Sequence, residues 1–421
     1  MFVDKDGNEV DWIVGYGPPA DKFQEKLKKV LAGEDIYKVL TARAAKEPAN
    51  VEVLFKLAQK CASRYSPEMM AKSKELYKKV IALDPEGEAG NYTFEYLKAT
   101  VSYTQAAEFD LAQASVFDRK PDAAPLKAFM AKYPQSPLIK QAYAMLGSYY
   151  QYYASGDEAT KAEATTFYET YVAKYPADAS VLNSYVDKIV KDKGPIDKGI
   201  ELAEKVKEIQ GYPPNPEYAQ NLAQLYLLKG DAAKADEEYG KDFLDSYVSN
   251  SVFALTGYAN FWLEQGRNLE SVEAAADLAV KVAPPEQWYT FQTAAGIYMK
   301  LKKPDRALAV YGPEFIKKNG TDQSVLASYA SFWSKQGDKQ AGMNLESALE
   351  AARKSVELRS DYYNNFTLAS ILFKLKRYQE ALPPAEKAVE FVESWAAKHP
   401  EFSTEKYKKL VKDIKDAIAK K

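Results

Sequence analysis

Large residues recur at a near-constant interval through the C-terminal half of the chain. Tyr226, Trp262, Tyr298, Trp333 and Leu372 are separated by steps of 36, 36, 35 and 39 residues. A period of that size implies one supersecondary unit stacked many times, because so short a unit cannot bury its own apolar face. The surroundings of the markers repeat as well. In LAQLYLLKGDAAKADEEY, Leu222 and Ala223 precede Tyr226, and Gly230, Ala235 and Tyr239 follow. In AAGIYMKLKKPDRALAVY, Ala294 and Ala295 lead to Tyr298, Ala307 and Tyr311. In LASILFKLKRYQEALPPAEKAV the series is Leu368, Ala369, Leu372, Tyr378, Ala381, Ala385 and Ala388. Spacings of three and four read as helix. Longer echoes pair YANFW (258–262) with YASFW (329–333), NLESVEAA (268–275) with NLESALEA (344–351), and FMAKYPQS (129–136) with YVAKYPAD (171–178).

The pattern has a packing explanation. Small residues such as Ala223, Ala235, Ala295, Ala307, Ala369 and Ala381 mark places where two helices approach closely, and aromatics fill the gaps between neighbouring pairs. Proline cannot continue helical bonding. LDPEG (83–87), KYPQS (132–136), KYPAD (174–178), YPPNP (212–216) and APPEQ (283–287) therefore mark unit ends. The large–small–large helix pair resembles the tetratricopeptide repeat. The resemblance implies an all-α, right-handed α-solenoid of about nine helix pairs over residues 34–400. Residues 50–87 keep the pattern through Leu54, Leu57, Ala58, Tyr77 and Pro85, whereas units near 88–134 and 138–176 are longer. Residues 401–421, with Tyr407, Leu410, Ile414 and Ile418 on one stripe, read as a capping helix, since a terminal unit must present a polar outer face.

The first residues differ in kind. FVDKDGNEVDWIVGY (2–16) has a short strand, an Asp6-Gly7-Asn8 turn, and an alternating run through Val10, Trp12, Val14 and Tyr16. Pro18-Pro19-Ala20-Asp21 then starts a helix with Phe23, Leu27, Val30 and Leu31 on its apolar stripe. Strand, turn, strand and helix in that order resemble the C-terminal part of a thioredoxin-like domain, covering residues 1–33. With Gly33–Pro48 as a helical spacer before the repeats, the arrangement resembles a recurrent bacterial architecture. A two-stranded hairpin is marginal alone. Val10, Trp12, Val14 and the helix face are accordingly expected to pack together and against the first repeats. The family's chemistry needs a Cys-x-x-Cys pair at a helix start, and none occurs here. The resemblance leaves two expectations: a chain that has lost that activity, or the C-terminal part of a longer oxidoreductase.

Other chemistry is sparse. Net charge is −2, so the basic footprint of a general nucleic-acid binder is missing. The lysines of 403–421 alternate with Glu405, Asp413 and Asp416. One cysteine, Cys61, and one histidine, His399, leave no multi-cysteine metal site and no disulfide framework. Cys61 falls on a core-facing repeat position and reads as an inert thiol. GYGPP (15–19) lacks the spacing of a nucleotide loop. NYT (91–93), NGT (319–321) and NFT (365–367) match the glycan acceptor pattern, but no secretory signal accompanies them. No apolar run is long enough to span a bilayer. The expectation is a soluble, non-catalytic chain without cofactor or metal, cytoplasmic by default and periplasmic if a longer precursor exists.

Stacked helix pairs leave a curved face lined by the first helix of each pair. Carrying the tetratricopeptide groove positions across gives Gln220, Gln224 and Leu227, then Thr256, Asn260 and Leu263. The next repeats give Gln292, Met299 and Lys300; Ser331, Ser334 and Lys335; and Phe366, Ser370, Phe373 and Lys374. This mixed surface suits an extended peptide or a partner helix. Asn260 alone matches the basic and amide pattern that holds acidic chaperone tails, while Thr256, Gln292, Gly296, Ala327 and Ser331 break it. The 31 tyrosines include two dense clusters, SYYQYY (148–153) and DYYNNF (361–366). Most are assigned to inter-helix core, with partial exposure expected in the first because four aromatics in five residues cannot share one core.

Overall fold

The computed structural model describes residues 2–3, 5–7, 9–13, 20–33, 36–153, 157–211, 215–247, 251–284, 286–336, 344–397, 399 and 402–420. The chain divides into two compact bodies, residues 1–191 and residues 192–421. In the first body, strands β1 (Phe2–Val3) and β2 (Glu9–Asp11) pair antiparallel, with Phe2 opposite Asp11 and Val3 opposite Glu9. Helices α1 (Ala20–Ala32), α2 (Tyr37–Lys46), α3 (Val51–Ala62) and α4 (Pro67–Leu83) follow. A second hairpin, β3 (Asn91–Phe94) and β4 (Ala99–Ser102), precedes α5 (Tyr103–Val116), α6 (Ala124–Lys132), α7 (Ile139–Tyr152), α8 (Glu158–Lys174) and α9 (Ala179–Asp192).

Of the alternation expected over Val10–Tyr16 only Val10–Ile13 is described; Val14–Tyr16 and Pro18–Pro19 lie outside the described residues. Trp12 is buried and packs at a tilt against Tyr37 of α2, with ring centroids 4.7 Å apart. Its Nε1 donates to Ser63 Oγ at 3.1 Å, and Arg64 lies over its ring. The neighbouring Asp11 carboxylate is fully buried and compensated by Lys60 Nζ at 2.7 Å and the Tyr37 amide at 3.3 Å. The N-terminal hairpin is thus fastened to α2 and α3 by one aromatic and one buried ion pair. By contrast, Leu31 of α1 is 76% exposed.

The β3–β4 hairpin is not legible in the sequence, where 88–134 reads as one long helical unit. Phe94, Ala99 and Val101 are its buried residues; Tyr92 packs on Phe55 at 4.8 Å and Phe94 on Phe109 at 5.8 Å. Gly87 and Gly90 both have positive φ, which turns the chain out of α4 before a further helix turn can form.

The second body begins with α10 (Ile196–Gln210) and continues through α11 (Pro216–Lys229), α12 (Ala232–Tyr239), α13 (Lys241–Tyr247), α14 (Val252–Gln265) and α15 (Leu269–Val282). Then come α16 (Trp288–Lys300), α17 (Pro304–Tyr311), α18 (Pro313–Asn319), α19 (Gln323–Lys335), α20 (Leu345–Leu358), α21 (Tyr362–Lys374), α22 (Tyr378–Ala396) and α23 (Glu405–Ala419). Hairpins α11/α12, α14/α15, α16/α17, α19/α20 and α21/α22 stack in chain order, each first helix meeting the next, and α23 closes the series against α22. Ala223, Ala235, Ala295, Ala307, Ala369 and Ala381 are all fully buried at these close approaches. Tyr407 of α23 packs with Ala388 and Val392, and Ile414 is buried too, as the apolar stripe of a terminal helix requires.

Two local devices set the hairpin geometry. The first helices α11, α14, α16 and α21 end in a Schellman-type closure on the marker residue itself. The amides of Asp231, Arg267, Lys303 and Arg377 bond to the carbonyls of Tyr226, Trp262, Tyr298 and Leu372 at 2.8, 3.1, 2.8 and 2.9 Å. The left-handed residue this motif needs is Gly230 or Gly266 in two repeats, but Lys302 and Lys376, both at φ 60°, in the others. The second device is a break in two second helices at Tyr239-Gly240 and Tyr311-Gly312, where a Cβ would overlap the carbonyl oxygen of Asp236 or Leu308. Each break removes the helical partner of the tyrosine carbonyl. Trp262 Nε1 donates to Tyr239 O at 2.7 Å and Trp333 Nε1 to Tyr311 O at 2.8 Å. Each tyrosine ring also meets the next first helix, Tyr239 on Tyr258 at 5.2 Å and Tyr311 on Tyr329 at 5.3 Å. The structure therefore repeats every two hairpins, which explains why YANFW and YASFW lie two units apart.

Trp262→Phe and Trp333→Phe each remove the donor from a buried carbonyl and leave a void, so each should cost about 2–3 kcal/mol. Urea unfolding followed by far-UV circular dichroism reads this as a lower midpoint. Conversely, Lys302→Gly relieves a left-handed non-glycine residue worth about 1–2 kcal/mol, less the added freedom of the unfolded chain. The same measurement should show a gain of about 0.5–1 kcal/mol.

Candidate functional site

The sequence-derived groove positions fall on α11, α14, α16, α19 and α21, the first helices of consecutive hairpins. Gln220, Gln224, Leu227, Thr256, Asn260, Leu263, Gln292 and Met299 are half-buried, and Lys300 is exposed. Gln265 Nε2 reaches Gln224 Oε1 at 3.4 Å, tying neighbouring first helices together. Farther along, structural partners take up several positions. Ser331 and Ser334 are buried, with Ser334 Oγ donating to the Ser331 carbonyl at 2.8 Å, while Lys335 stays exposed. Lys374 Nζ donates to the carbonyls of Ser334 and Gln336, so it caps the C-terminus of α19. Phe366 packs edge-on against Tyr407 of the terminal helix at 4.8 Å, and Phe373 lies on Tyr378 at 5.4 Å. Ser370 Oγ donates to the carbonyl of Phe366 at 2.7 Å. The groove positions that keep adaptable side chains are those of α11, α14 and α16.

A cavity of about 670 Å³ opens where the first turns of α14 and α16 meet the end of α15, lined by Ser251, Val252, Phe253, Thr256, Val282, Pro284, Gln287, Tyr289, Thr290 and Thr293. Most of its hydroxyls are satisfied by their own helices. Ser251 Oγ accepts the Ala254 amide at 3.3 Å, Thr256 Oγ1 donates to the Val252 carbonyl at 2.9 Å, and Thr293 Oγ1 to the Tyr289 carbonyl at 2.9 Å. Two polar atoms are not: Gln287 Oε1 and Thr290 Oγ1 are buried without a hydrogen-bond partner. At the rim, Phe253 is 88% exposed and Tyr289 53%. Sequence reasoning assigns only Thr256 to this region. The available signal is the 36-residue spacing of Phe253 and Tyr289, aromatics on the side of the helix opposite the core markers.

The tyrosine clusters divide between core and surface. In SYYQYY, Tyr150 is buried against Phe167 at 5.2 Å, whereas Tyr152 and Tyr153 are exposed. In DYYNNF, Tyr362 meets Phe402 and Tyr407 at 5.9 and 6.0 Å, and Tyr363 is exposed. Burial of Cys61 raises its thiol above the ordinary range, with Lys72 pulling the other way, so the thiolate is disfavoured. His399 stacks on Trp395 at 4.1 Å. Asn365, in one glycan acceptor pattern, is buried and donates to the Asp361 carbonyl at 2.7 Å. Among the described residues no cluster of histidine, cysteine or carboxylate side chains is arranged to hold a metal ion. No helix among them is long and apolar enough to cross a membrane.

One titrating group stands out in the first body. Burial pushes the Asp110 carboxyl up to about 6, against hydrogen bonds from Tyr77 and Gln59 that favour its charged form. Tyr77 OH donates to Asp110 at 2.7 Å, and burial followed by the charge of Asp110 raises that phenol well above its usual range. A carboxyl raised on folding holds its proton more tightly when folded. Its contribution to stability is full below about pH 4 and lost as pH rises through about 6. Asp110→Asn should flatten that fall and stabilise the chain at pH 7 by about 1 kcal/mol, measured as melting temperature against pH in both proteins.

No family model matches the sequence, and no curated protein does. Several solved structures match at low identity and low TM-score. A tetratricopeptide repeat protein from Parabacteroides merdae is 16% identical with a TM-score of 0.33, covering 69% of this chain and 90% of that one. Pseudomonas aeruginosa pilF is 20% identical with a TM-score of 0.27, over 53% of this chain and 99% of that one. Yeast Tom70 is 14% identical with a TM-score of 0.28, over 95% and 94% respectively.

Proposed function

We propose that this chain is a non-catalytic repeat scaffold that docks a peptide or protein segment on the first helices of its second body. The observation that carries this reading is the run of half-buried, chemically mixed side chains on α11, α14 and α16: Gln220, Gln224, Leu227, Thr256, Asn260, Leu263, Gln292 and Met299. They stand on helices whose core-facing sides are fixed by buried Tyr226, Trp262 and Tyr298. Rigid helices with adaptable amide, hydroxyl and thioether groups can bind a chain without reorganising, which limits the entropic cost of association. Lys300 and Lys335 add positive charge at the margin. The proposed division keeps residues 34–400 as the repeat region and 401–421 as its cap, with residues 1–33 as a separate N-terminal element.

The test is peptide display against the full chain, followed by affinity measurement of recovered peptides on variants. Asn260→Ala, Leu263→Glu and Met299→Glu should each weaken binding at least tenfold, while melting temperature and circular dichroism stay near those of the parent. Undiminished affinity in all three variants places docking elsewhere and removes the groove reading.

A further inference from the structure

From the cavity at the first turns of α14 and α16 we infer a binding site for an uncharged, proline-rich segment in the polyproline II conformation. The inference rests on the reading that this body docks peptide, and assigns to it an adjoining surface, which shares Thr256 with the groove, and a ligand chemistry. Four observations carry it. First, the cavity contains a buried polar group without a partner: Thr290 is 1% exposed and its Oγ1 makes no hydrogen bond, as does Gln287 Oε1 nearby. Such groups are costly unless a ligand satisfies them. Second, aromatic rings stand at the rim where a soluble surface gains nothing from them, Phe253 at 88% and Tyr289 at 53% exposure.

Third, these rings belong to a row. The position nine residues before each core marker is Glu217 in α11, Phe253 in α14, Tyr289 in α16, Ser324 in α19 and Tyr363 in α21, so the aromatic part of the row starts at α14. Tyr363 is 42% exposed. Neighbouring packed helices lie about 8–10 Å apart. A polyproline II chain advances about 9.3 Å per three-residue turn, so one face of it meets the row at every third residue. A β-strand fits poorly, because residues three apart point to opposite faces. An α-helix matches the spacing at every seventh residue, about 10.5 Å, but its backbone groups are already bonded to one another. Only the polyproline II backbone, which has no internal hydrogen bonds, offers amides and carbonyls to Gln287 Oε1 and Thr290 Oγ1 while its prolines stack on the rings.

Fourth, charge complementarity limits the occupant. None of the ten residues that line the cavity is charged. A charged side chain entering it would lose hydration without gaining a partner, whereas proline, alanine and similar residues lose little.

The experiment is isothermal titration of the full chain with a capped, uncharged peptide of about twelve residues bearing proline at every third position. Comparison peptides are one with the same composition and proline at every second position, a neutral helix-former with leucine at every seventh, and a glutamate-rich one. The three-residue peptide should bind best. Phe253→Ser and Tyr289→Ser should each weaken it at least tenfold. Thr290→Val, which removes only an unpartnered hydroxyl and so leaves folding intact, should weaken it several-fold. Leu263→Glu and Met299→Glu should leave it unchanged. Preference for the helical or acidic peptide, absence of binding, or indifference to the three cavity variants each overturns the inference. If displayed peptides still bind in a manner sensitive to Leu263→Glu, the groove reading survives that failure; if no peptide of any kind binds, both fall.

Discussion

In four first helices, α11, α14, α16 and α21, the carbonyl of one large residue near the helix end accepts the amide that turns the chain into the second helix. In the second body this residue is Tyr226, Trp262, Tyr298 or Leu372, and its side chain is also the buried wedge between neighbouring hairpins. Backbone and side chain of one position therefore fix two things at once. The bond sets where the first helix stops and at what angle the second leaves, and the ring sets how far the next hairpin sits from it. Every other feature follows from that double constraint, including the close approach at alanine and the register of the exposed first turns. It also explains the tolerance for lysine in left-handed conformation at 302 and 376. The closure defines the hairpin, and a backbone cost of about 1–2 kcal/mol is offset by what the packed hairpin buries.

The break at Tyr-Gly adds a second level. A continuous second helix would satisfy its own carbonyls and leave the following first helix to pack by shape alone. Breaking α12 from α13 and α17 from α18 exposes one carbonyl in each case, and a tryptophan indole of the next hairpin takes it. A directed hydrogen bond in an apolar setting is expensive to leave unmade, so the contact specifies register where apolar packing alone is permissive. Tyr239, Phe243, Tyr258, Phe261 and Trp262 recur as Tyr311, Phe315, Tyr329, Phe332 and Trp333, with ring separations that differ by about 0.1 Å between the two copies in the tyrosine contacts.

Much of this architecture is legible in the amino-acid sequence, and the reasons differ by feature. Markers, alanines and the terminal helix are readable because apolar periodicity and small residues report packing directly. The echo of YANFW in YASFW is visible, but its cause is not: the indole partner is a backbone carbonyl, which has no letter in the sequence. The β3–β4 hairpin is hidden for a related reason. NYTFEYLKATVS carries few residues hostile to helix, and its strand state is decided by Gly87, Gly90 and contacts with Phe55 and Phe109. Groove positions are readable as positions on a helix, not as free surface. Lys374 and Phe366 take structural partners from Ser334, Gln336 and Tyr407, which lie 40, 38 and 41 residues away in sequence, beyond any local rule.

The exposed first turns make the same point from the opposite side. A residue nine positions before a core marker is placed by helix geometry on the outer side, where folding exerts almost no selection on its identity. Glutamate at 217 and serine at 324 are what solvent favours there. Phenylalanine at 253 and tyrosines at 289 and 363 are not explained by the fold, because the repeat closes equally well without them. Features that packing requires and features that packing merely permits thus separate along the same helix, half a turn apart. The second kind is where a scaffold built from near-identical units can hold a partner without disturbing its own stack, since a side chain there changes without moving the carbonyl closure or the buried ring behind it.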